Sequence, residues 1–128
     1  AGFASGQPAI VASSGVSMYL SRAANVQMLC DAASLAPGST FIMTFMPPAD
    51  LLAPEDRPAR HAAEKGAQAA GTPFVSYFAP AEILALAREA GFADVRHISA
   101  DALAERYFAG REDGLRPSSA EELLIATC

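Results

Sequence analysis

AIVASSGVSMYL, residues 9–20, is the stretch from which the fold is inferred. Its first part, Ala9–Ser13, is apolar and lies between Pro8 and Gly15, a pattern typical of a strand buried on both faces in a parallel sheet. The rest is rich in Ser and Gly, which indicates a turn that leads from the strand toward a helix. We therefore expect an α/β fold built around this strand.

Hydrophobic periodicity predicts three further strands and four helices. The strands are Thr40–Met46, Asp94–Ser99 and Glu122–Thr127, and the helices are Arg22–Leu35, Pro54–Ala70, Pro80–Ala90 and Asp101–Phe108. In the first helix the spacing predicts an inward stripe of Val26, Leu29, Cys30 and Ala33. The order of these elements is typical of α/β layering with parallel strands and right-handed crossovers.

Residues 1–128 are long enough for one domain, and segment 47–79 interrupts it. An ordinary connection between a strand and a helix takes about 2 to 6 residues, so this much longer segment is predicted to be an insertion. Insertions over the end of a sheet often act as lids. A plain solvated helix is the alternative, because the segment mixes charged residues with many alanines.

Composition and charge exclude several classes of function. Nine Lys and Arg against 14 Asp and Glu give a net charge of −5, whereas nucleic-acid binding needs clustered cations. Two cysteines without a C-x-x-C pair and two distant histidines predict neither a metal site nor a disulfide framework. No apolar run reaches the roughly 18 residues of a membrane span. We therefore expect no nucleic-acid or membrane partner and a cytoplasmic location.

Ser13, Ser14 and Gly15 are the first candidate binding residues, because ligands of open α/β sheets bind beyond the carboxyl ends of strands. They offer hydroxyls and backbone N–H groups without steric bulk. The alternative is an ordinary tight turn with Tyr19 packed beneath it. The sequence contains no G-x-G-x-x-G and no Walker pattern, so the main loop of a nucleotide-binding sheet is not found in it.

Aromatic residues close to the third predicted helix form a second candidate group. They either line a pocket for a substrate or pack in the core, and they are Phe74, Tyr77 and Phe78. The two histidines, His61 in the insertion and His97 on a strand, are predicted to have structural or surface roles.

Ser13 also matches half of a nucleophile elbow, G-x-S-x-G, because Gly15 follows two residues later. Val11 stands where the elbow needs a glycine, and its side chain would crowd that strained turn. Asp50 and His97 would have to complete the triad. A serine hydrolase is therefore the weaker enzymatic alternative.

Several phrases of the chain, in order, resemble the leucine carboxyl methyltransferase-like family of S-adenosylmethionine-dependent O-methyltransferases. The likeness begins near Pro8 and reaches almost to the end of the chain. The matching phrases are Gly15–Arg22 (GVSMYLSR), Pro37–Ser39, Phe78–Ala81, Glu89–Phe92, Ala104–Gly114 (AERYFAGREDG) and Ser118–Ala126.

This resemblance implies the carboxyl-terminal half of a Rossmann-like methyltransferase sheet. Such a half has three parallel strands and a last antiparallel strand, flanked by helices, and lacks the amino-terminal cofactor-binding strands. The implied cofactor is S-adenosylmethionine, and Tyr19 matches the family's tyrosine near the methyl acceptor. Ser14 stands where some members carry an acidic residue that approaches the cofactor, so a direct charge contact is not carried over.

The implied reaction is transfer of a methyl group to an oxygen of a small molecule. A carboxylate acceptor is already ionised and needs no base, whereas a hydroxyl acceptor does. The chain alone is expected to be inactive and to require its missing half. The alternative is a non-catalytic remnant that pairs with a second copy or another partner through the edge of its exposed first strand.

Overall fold

The computed structural model describes residues 2–128. They form a four-stranded mixed sheet in the order β1-β2-β4-β3, with strands β1 (Ile10–Ser13), β2 (Thr40–Phe45), β3 (Asp94–Ile98) and β4 (Glu122–Thr127). β1 and β2 pair in parallel, and β4 runs antiparallel to both β2 and β3. β1, β2 and β3 therefore point the same way, which confirms the predicted sheet with an antiparallel last strand.

The described residues contain four α-helices, α1 (Arg22–Ala33), α2 (Arg57–Ala69), α3 (Pro80–Ala90) and α4 (Ala100–Leu103), and α4 continues as a π-helical turn over Ala104–Phe108. The hydroxyl of Ser21 caps α1 by accepting from the N–H of Ala24 at 3.1 Å. α3 begins at Pro80 and is ended by Gly91 at a φ of 111°, as the sequence predicts. Within residues 2–128 no helix has the length and hydropathy that crossing a bilayer requires.

The hydrophobic core lies between one face of the sheet and the helices α1 and α3. Phe41, Met43 and Phe45 alternate along β2 and are buried, whereas the residues between them are only half-buried. Leu29 of α1 and Ile83 of α3 belong to the same fully buried cluster. Since strand side chains alternate between the two faces, this pattern shows that one face of the sheet carries the core.

Strand β1 lies at the edge of the sheet and is half exposed. Ile10 is 80% exposed, and Val11 is only half-buried beside α1. The prediction that Ala9–Ser13 is buried on both faces is therefore wrong for the described residues, although the strand itself is confirmed. The apolar composition of a strand shows that it can be buried but not how many elements cover it. Within residues 2–128, β1 pairs with β2 alone, so its other edge stays exposed.

The inward face of α1 differs from the predicted stripe. Its buried residues are Asn25, Leu29 and Ala32, whereas Cys30 is exposed to solvent. The prediction of an inward Cys30 is therefore wrong. Apolar residues alone predict a different phase for this helix, because an amide such as Asn25 is usually a surface residue.

A buried arginine anchors segment 47–79 to the sheet. Arg60 on α2 is 3% exposed. Its guanidinium donates to Glu64 Oε1 at 2.8 Å and to the carbonyls of Pro47 at 3.1 Å and Ala120 at 3.0 Å. Because Pro47 lies two residues after β2 and Ala120 two residues before β4, α2 is held at the carboxyl end of β2.

A second contact ties the same segment to the residues before β4. The buried carboxylate of Asp56 accepts from Arg116 Nη2 at 2.7 Å, and from the N–H and hydroxyl of Ser119 at 2.8 and 2.6 Å. These hydrogen bonds hold the pKa of Asp56 well below its usual range and outweigh the opposite effect of burial. The carboxylate is therefore ionised at neutral pH and fully partnered.

Replacing Asp56 by Asn should lower the free energy of unfolding by about 2 kcal/mol at neutral pH, because hydrogen bonds to a charged group are lost. The folded-state pKa is lowered, so this stabilisation is complete above the usual carboxyl value of 3.8 and is lost as the pH falls below it. Urea unfolding of wild type and Asp56→Asn at several pH values measures the difference. Asp50→Asn, at an exposed carboxylate of the same segment, should change stability by less than about 0.5 kcal/mol. An equal loss for Asp56→Asn at neutral and acidic pH would contradict this account.

Candidate functional site

The turn that follows β1 crosses the edge of the sheet where the carboxyl ends of β1, β2 and β3 meet the amino end of β4. Gly15 adopts a φ of 68°, in the left-handed region that favours glycine. Its N–H donates to Thr44 Oγ1 at 2.8 Å, and the hydroxyl of Ser17 donates to the Thr44 carbonyl at 2.9 Å. The turn is therefore fixed to the end of β2.

The three predicted cofactor-binding residues lie together on this turn. Ser14 and Gly15 are exposed, whereas Ser13 is half-buried and its hydroxyl lies 3.8 Å from the sulfur of Met28. The N–H of Gly15, expected to be free for a ligand, is instead used by Thr44. A Cβ at Gly15 would meet no other atom within 4 Å, so open space borders the turn.

Asn25 holds the turn from below. Its side chain is fully buried and its Nδ2 donates to the carbonyls of Ser17, Leu20 and Ser21 at 2.9, 3.2 and 3.1 Å. The short 3-10 turn Ser17–Tyr19 is thereby set in place. Sequence reasoning missed Asn25, although its i, i+4, i+7 spacing with Leu29 and Ala32 would have placed it on the inward face of α1.

Tyr19 lies beside the end of segment 47–79. Its side chain is 48% exposed, and its ring packs edge-on against Phe74 with the ring centroids 5.3 Å apart. The N–H groups of Val75 and Ser76 donate to the Met18 carbonyl at 2.7 and 3.3 Å. The hydroxyl of Ser76 also donates to the Leu20 carbonyl. These contacts join the turn after β1 to residues that are more than fifty positions later in the chain.

These two segments form the walls of a pocket of about 430 Å³, lined by Tyr19, Gly71, Thr72, Pro73 and Val75. Of the predicted pocket aromatics, Phe74 stands behind the wall in contact with Tyr19. Phe78 belongs to the buried core. Tyr77 is half-buried and points to α2, where its hydroxyl donates to Glu64 Oε1 at 3.1 Å.

Tyr77 is part of the anchor of α2. The guanidinium of Arg60 lies over its ring at 4.7 Å from the centroid. Burial, and then the hydrogen bond to Glu64, raise the pKa of Tyr77, so the phenol stays protonated and donates. This cluster connects the pocket-forming residues before α3 to the fixed position of α2.

The two histidines lie apart from this pocket. His97 on β3 contacts Glu122 at 2.6 Å, and the same carboxylate accepts from the N–H of Ala100 at 3.1 Å. Because β2 and β4 separate β1 from β3, His97 lies roughly 14 Å from β1, three strand spacings of about 4.8 Å. A triad of Ser13 and His97 is excluded by this geometry, and His61 is exposed on α2. Residues 2–128 hold no group of side chains that could bind a metal ion.

The fold is similar to solved structures that include methyltransferases. A protein from Bordetella parapertussis, described as possibly exported, superposes with a TM-score of 0.59 at 17% identity, over 92% of this chain and 38% of its own. A candidate O-methyltransferase from Nostoc punctiforme gives a TM-score of 0.58 at 20% identity, over 93% and 31%. The S-adenosylmethionine-dependent methyltransferase SibL, in its apo form, gives 0.57 at 18% identity, over 94% and 32%.

This likeness establishes the fold, an α/β sheet with helices of the kind found in methyltransferases. The chain spans about a third of the length of these three structures. The sequence matches no protein-family model and no curated protein.

Replacing Asn25 by Ala should lower the free energy of unfolding by about 2 kcal/mol or more, because buried carbonyls lose their donor. Urea unfolding measures the change. Gln27→Ala, at an exposed position of the same helix, should cost less than about 0.5 kcal/mol. In Asn25→Ala the amide resonances of residues 17–21 should shift more than those of α3. Equal costs for the two variants would contradict a holding role for Asn25.

Proposed function

We propose that the chain forms the carboxyl-terminal part of an S-adenosylmethionine-dependent O-methyltransferase domain. The observation that carries the proposal is the fold, a mixed sheet β1-β2-β4-β3 flanked by helices, which superposes over more than nine-tenths of the chain on two solved structures described as methyltransferases, at TM-scores of 0.58 and 0.57. The open Ser and Gly turn after β1 lies at the carboxyl edge, where α/β sheets bind ligands. The chain alone holds only part of such a site and should be inactive without the remaining elements.

The turn after β1 has the properties of one side of a cofactor site. Ser14 offers an exposed hydroxyl, Gly15 leaves open space where a side chain would stand, and Ser13 ends the strand beneath them. S-adenosylmethionine, when bound, would supply a methyl group activated by its sulfonium. The carbonyl and hydroxyl oxygens of this turn are suited to a cationic and polar ligand of this kind.

Tyr19 is the side chain that we assign to the acceptor, and Phe74 supports it from behind. Their edge-on contact and the backbone bonds to Met18 fix the ring of Tyr19 at the pocket mouth. Tyr77 and Phe78 support this wall from α2 and from the core. The contribution of these residues to the rate is to orient the acceptor oxygen and to exclude water from it.

Membership in the leucine carboxyl methyltransferase-like family is the finer form of this proposal. It is supported by phrases such as Gly15–Arg22 and Ala104–Gly114, which resemble that family in order and position. An acceptor oxygen of either a carboxylate or a hydroxyl is compatible with this assignment.

Self-association through β1 is a second candidate function. The Thr40 N–H donates to the Ala9 carbonyl at 2.9 Å. Since backbone groups alternate along a strand, Ile10 and Ala12 direct their N–H and C=O groups away from β2. A strand from the missing half of the domain, or β1 of a second copy, would pair there and cover Ile10.

Millimolar S-adenosylmethionine should shift the amide resonances of residues 13–15 in a ¹⁵N-labelled sample, with weak affinity because the rest of the cofactor site is not supplied. Gly15→Ala should abolish these shifts, since it places a side chain in the open space at a φ of 68°. Gly114→Ala carries a similar strain at a φ of 73° outside the turn and should leave them intact. Shifts that spare residues 13–15 would contradict the assignment.

Light scattering across a range of concentrations tests the pairing of β1 with a second copy. If copies pair, the mass should rise toward that of a dimer, and Ala12→Pro should abolish the rise by removing an outward N–H while leaving the β1–β2 ladder intact. Ala12→Ser keeps this N–H and should behave as wild type. A monomer at every concentration would contradict self-association and favour pairing with the missing half.

A further inference from the structure

The pocket beside Tyr19 has an uncharged lining. Its five residues, Tyr19, Gly71, Thr72, Pro73 and Val75, include no acidic or basic side chain. Val75 is 55% exposed although it is apolar, and the ring of Tyr19 presents an open aromatic surface. The hydroxyls of Tyr19 and Thr72 are the side-chain polar groups of the lining. Such a surface favours a planar apolar ligand with a single polar group.

The two arginines that lie over Tyr77 and Phe78, just after the pocket wall in the chain, are already partnered. Arg60 lies over the ring of Tyr77 and donates to Glu64 and to two carbonyls. Arg22 lies over the ring of Phe78 at 5.6 Å and pairs with Glu82. The lining itself offers no ion pair, so a carboxylate placed in the pocket would lose water without a charged partner in the wall, which is costly.

The pocket walls are held together before any ligand binds. Val75 and Ser76 are bonded to the Met18 carbonyl, and Asn25 fixes the turn that carries Tyr19. A volume of about 430 Å³ accommodates a two-ring aromatic molecule. A ligand that stacks on Tyr19 thus has little ordering of the protein to overcome.

We propose that this pocket binds an uncharged aromatic compound that carries a hydroxyl group. The methyl acceptor would then be a phenol rather than a carboxylate. The assignment of this ligand as a methyl acceptor rests on the proposed function, whereas the binding itself does not. Stacking on Tyr19 and contacts with Pro73 and Val75 hold the ring, and the hydroxyl of Thr72 or of Tyr19 bonds the hydroxyl of the ligand.

Titration of the ¹⁵N-labelled chain with 2-naphthol and, separately, with 2-naphthoate at neutral pH tests this proposal, because the two probes share a ring system and differ in charge. We expect 2-naphthol to shift the amides of residues 71–75 and to bind at least about tenfold more tightly than 2-naphthoate, a difference of about 1.4 kcal/mol. Equal or tighter binding of 2-naphthoate, or shifts outside residues 17–20 and 71–75, would overturn it.

Variants at exposed positions sharpen the test without loss of the fold. Tyr19→Ala should weaken 2-naphthol binding about fivefold by removing an aromatic contact. Tyr107→Ala, at a tyrosine that is 64% exposed outside the pocket, should not change it. Val75→Lys should reverse the preference toward 2-naphthoate by adding a cation to the wall. An unchanged preference in Val75→Lys, or equal effects of the two tyrosine variants, would count against the site.

The titrations contain no S-adenosylmethionine, so the outcome is independent of the proposed activity. If 2-naphthol binds as expected but S-adenosylmethionine does not shift the amide resonances of residues 13–15, the ligand pocket is supported and the methyltransferase assignment fails. If the cofactor shifts are present and 2-naphthol does not bind, the assignment stands and the acceptor class is wrong.

Discussion

The antiparallel insertion of β4 between β2 and β3 is the constraint on which the rest of the structure depends. Its ladder is continuous on both sides, and the end that follows Thr127 is closed by hydrogen bonds from the Gly38 N–H to the Cys128 carbonyl and from the Cys128 N–H to the Ser39 carbonyl. Because β4 runs against its neighbours, the residues before it arrive at the carboxyl edge of β2. Ser119 and Ala120 are thereby available to bind segment 47–79.

Helices and strands were predictable from the sequence where residues within or next to the element determine its bounds. The bounds of α3 follow from Pro80 at its start and Gly91 at its end, and β4 follows from its apolar run. The burial of Arg60 was not predictable, because a charged residue amid alanines is usually solvated and two of its three acceptors, the carbonyls of Pro47 and Ala120, lie outside its helix. The exposure of Ile10 was also not predictable, because the composition of β1 does not show whether a second strand lies beside it.

The candidate site was predictable only in part for the same reason. The turn Ser13–Gly15 could be located from the rule for carboxyl ends of strands, and Tyr19 from the family resemblance. The meeting of Tyr19 with Phe74 depends on backbone bonds from Val75 to Met18, which no pattern within either segment encodes. The role of Asn25 is easier to predict, because its spacing places it on the same face of α1 as Leu29. A buried amide needs several hydrogen-bond partners, so an Asn on the inward face indicates a turn that it holds in place.

The contacts of segment 47–79 bear on whether it moves as a lid or stays as a wall. Movement of the whole segment would break the charge-assisted bonds of Asp56 and expose Arg60, which has three acceptors and lies over the ring of Tyr77. Each hydrogen bond to a charged group contributes about 1.5 to 3 kcal/mol, so losing several together costs a large share of the stability of a small domain. Residues 71–75 lie after α2 and outside both anchors, and they carry the pocket wall. With α2 fixed by these anchors and Val75 bonded to the Met18 carbonyl, the pocket wall is held in place before a ligand binds, which favours a wall over a lid.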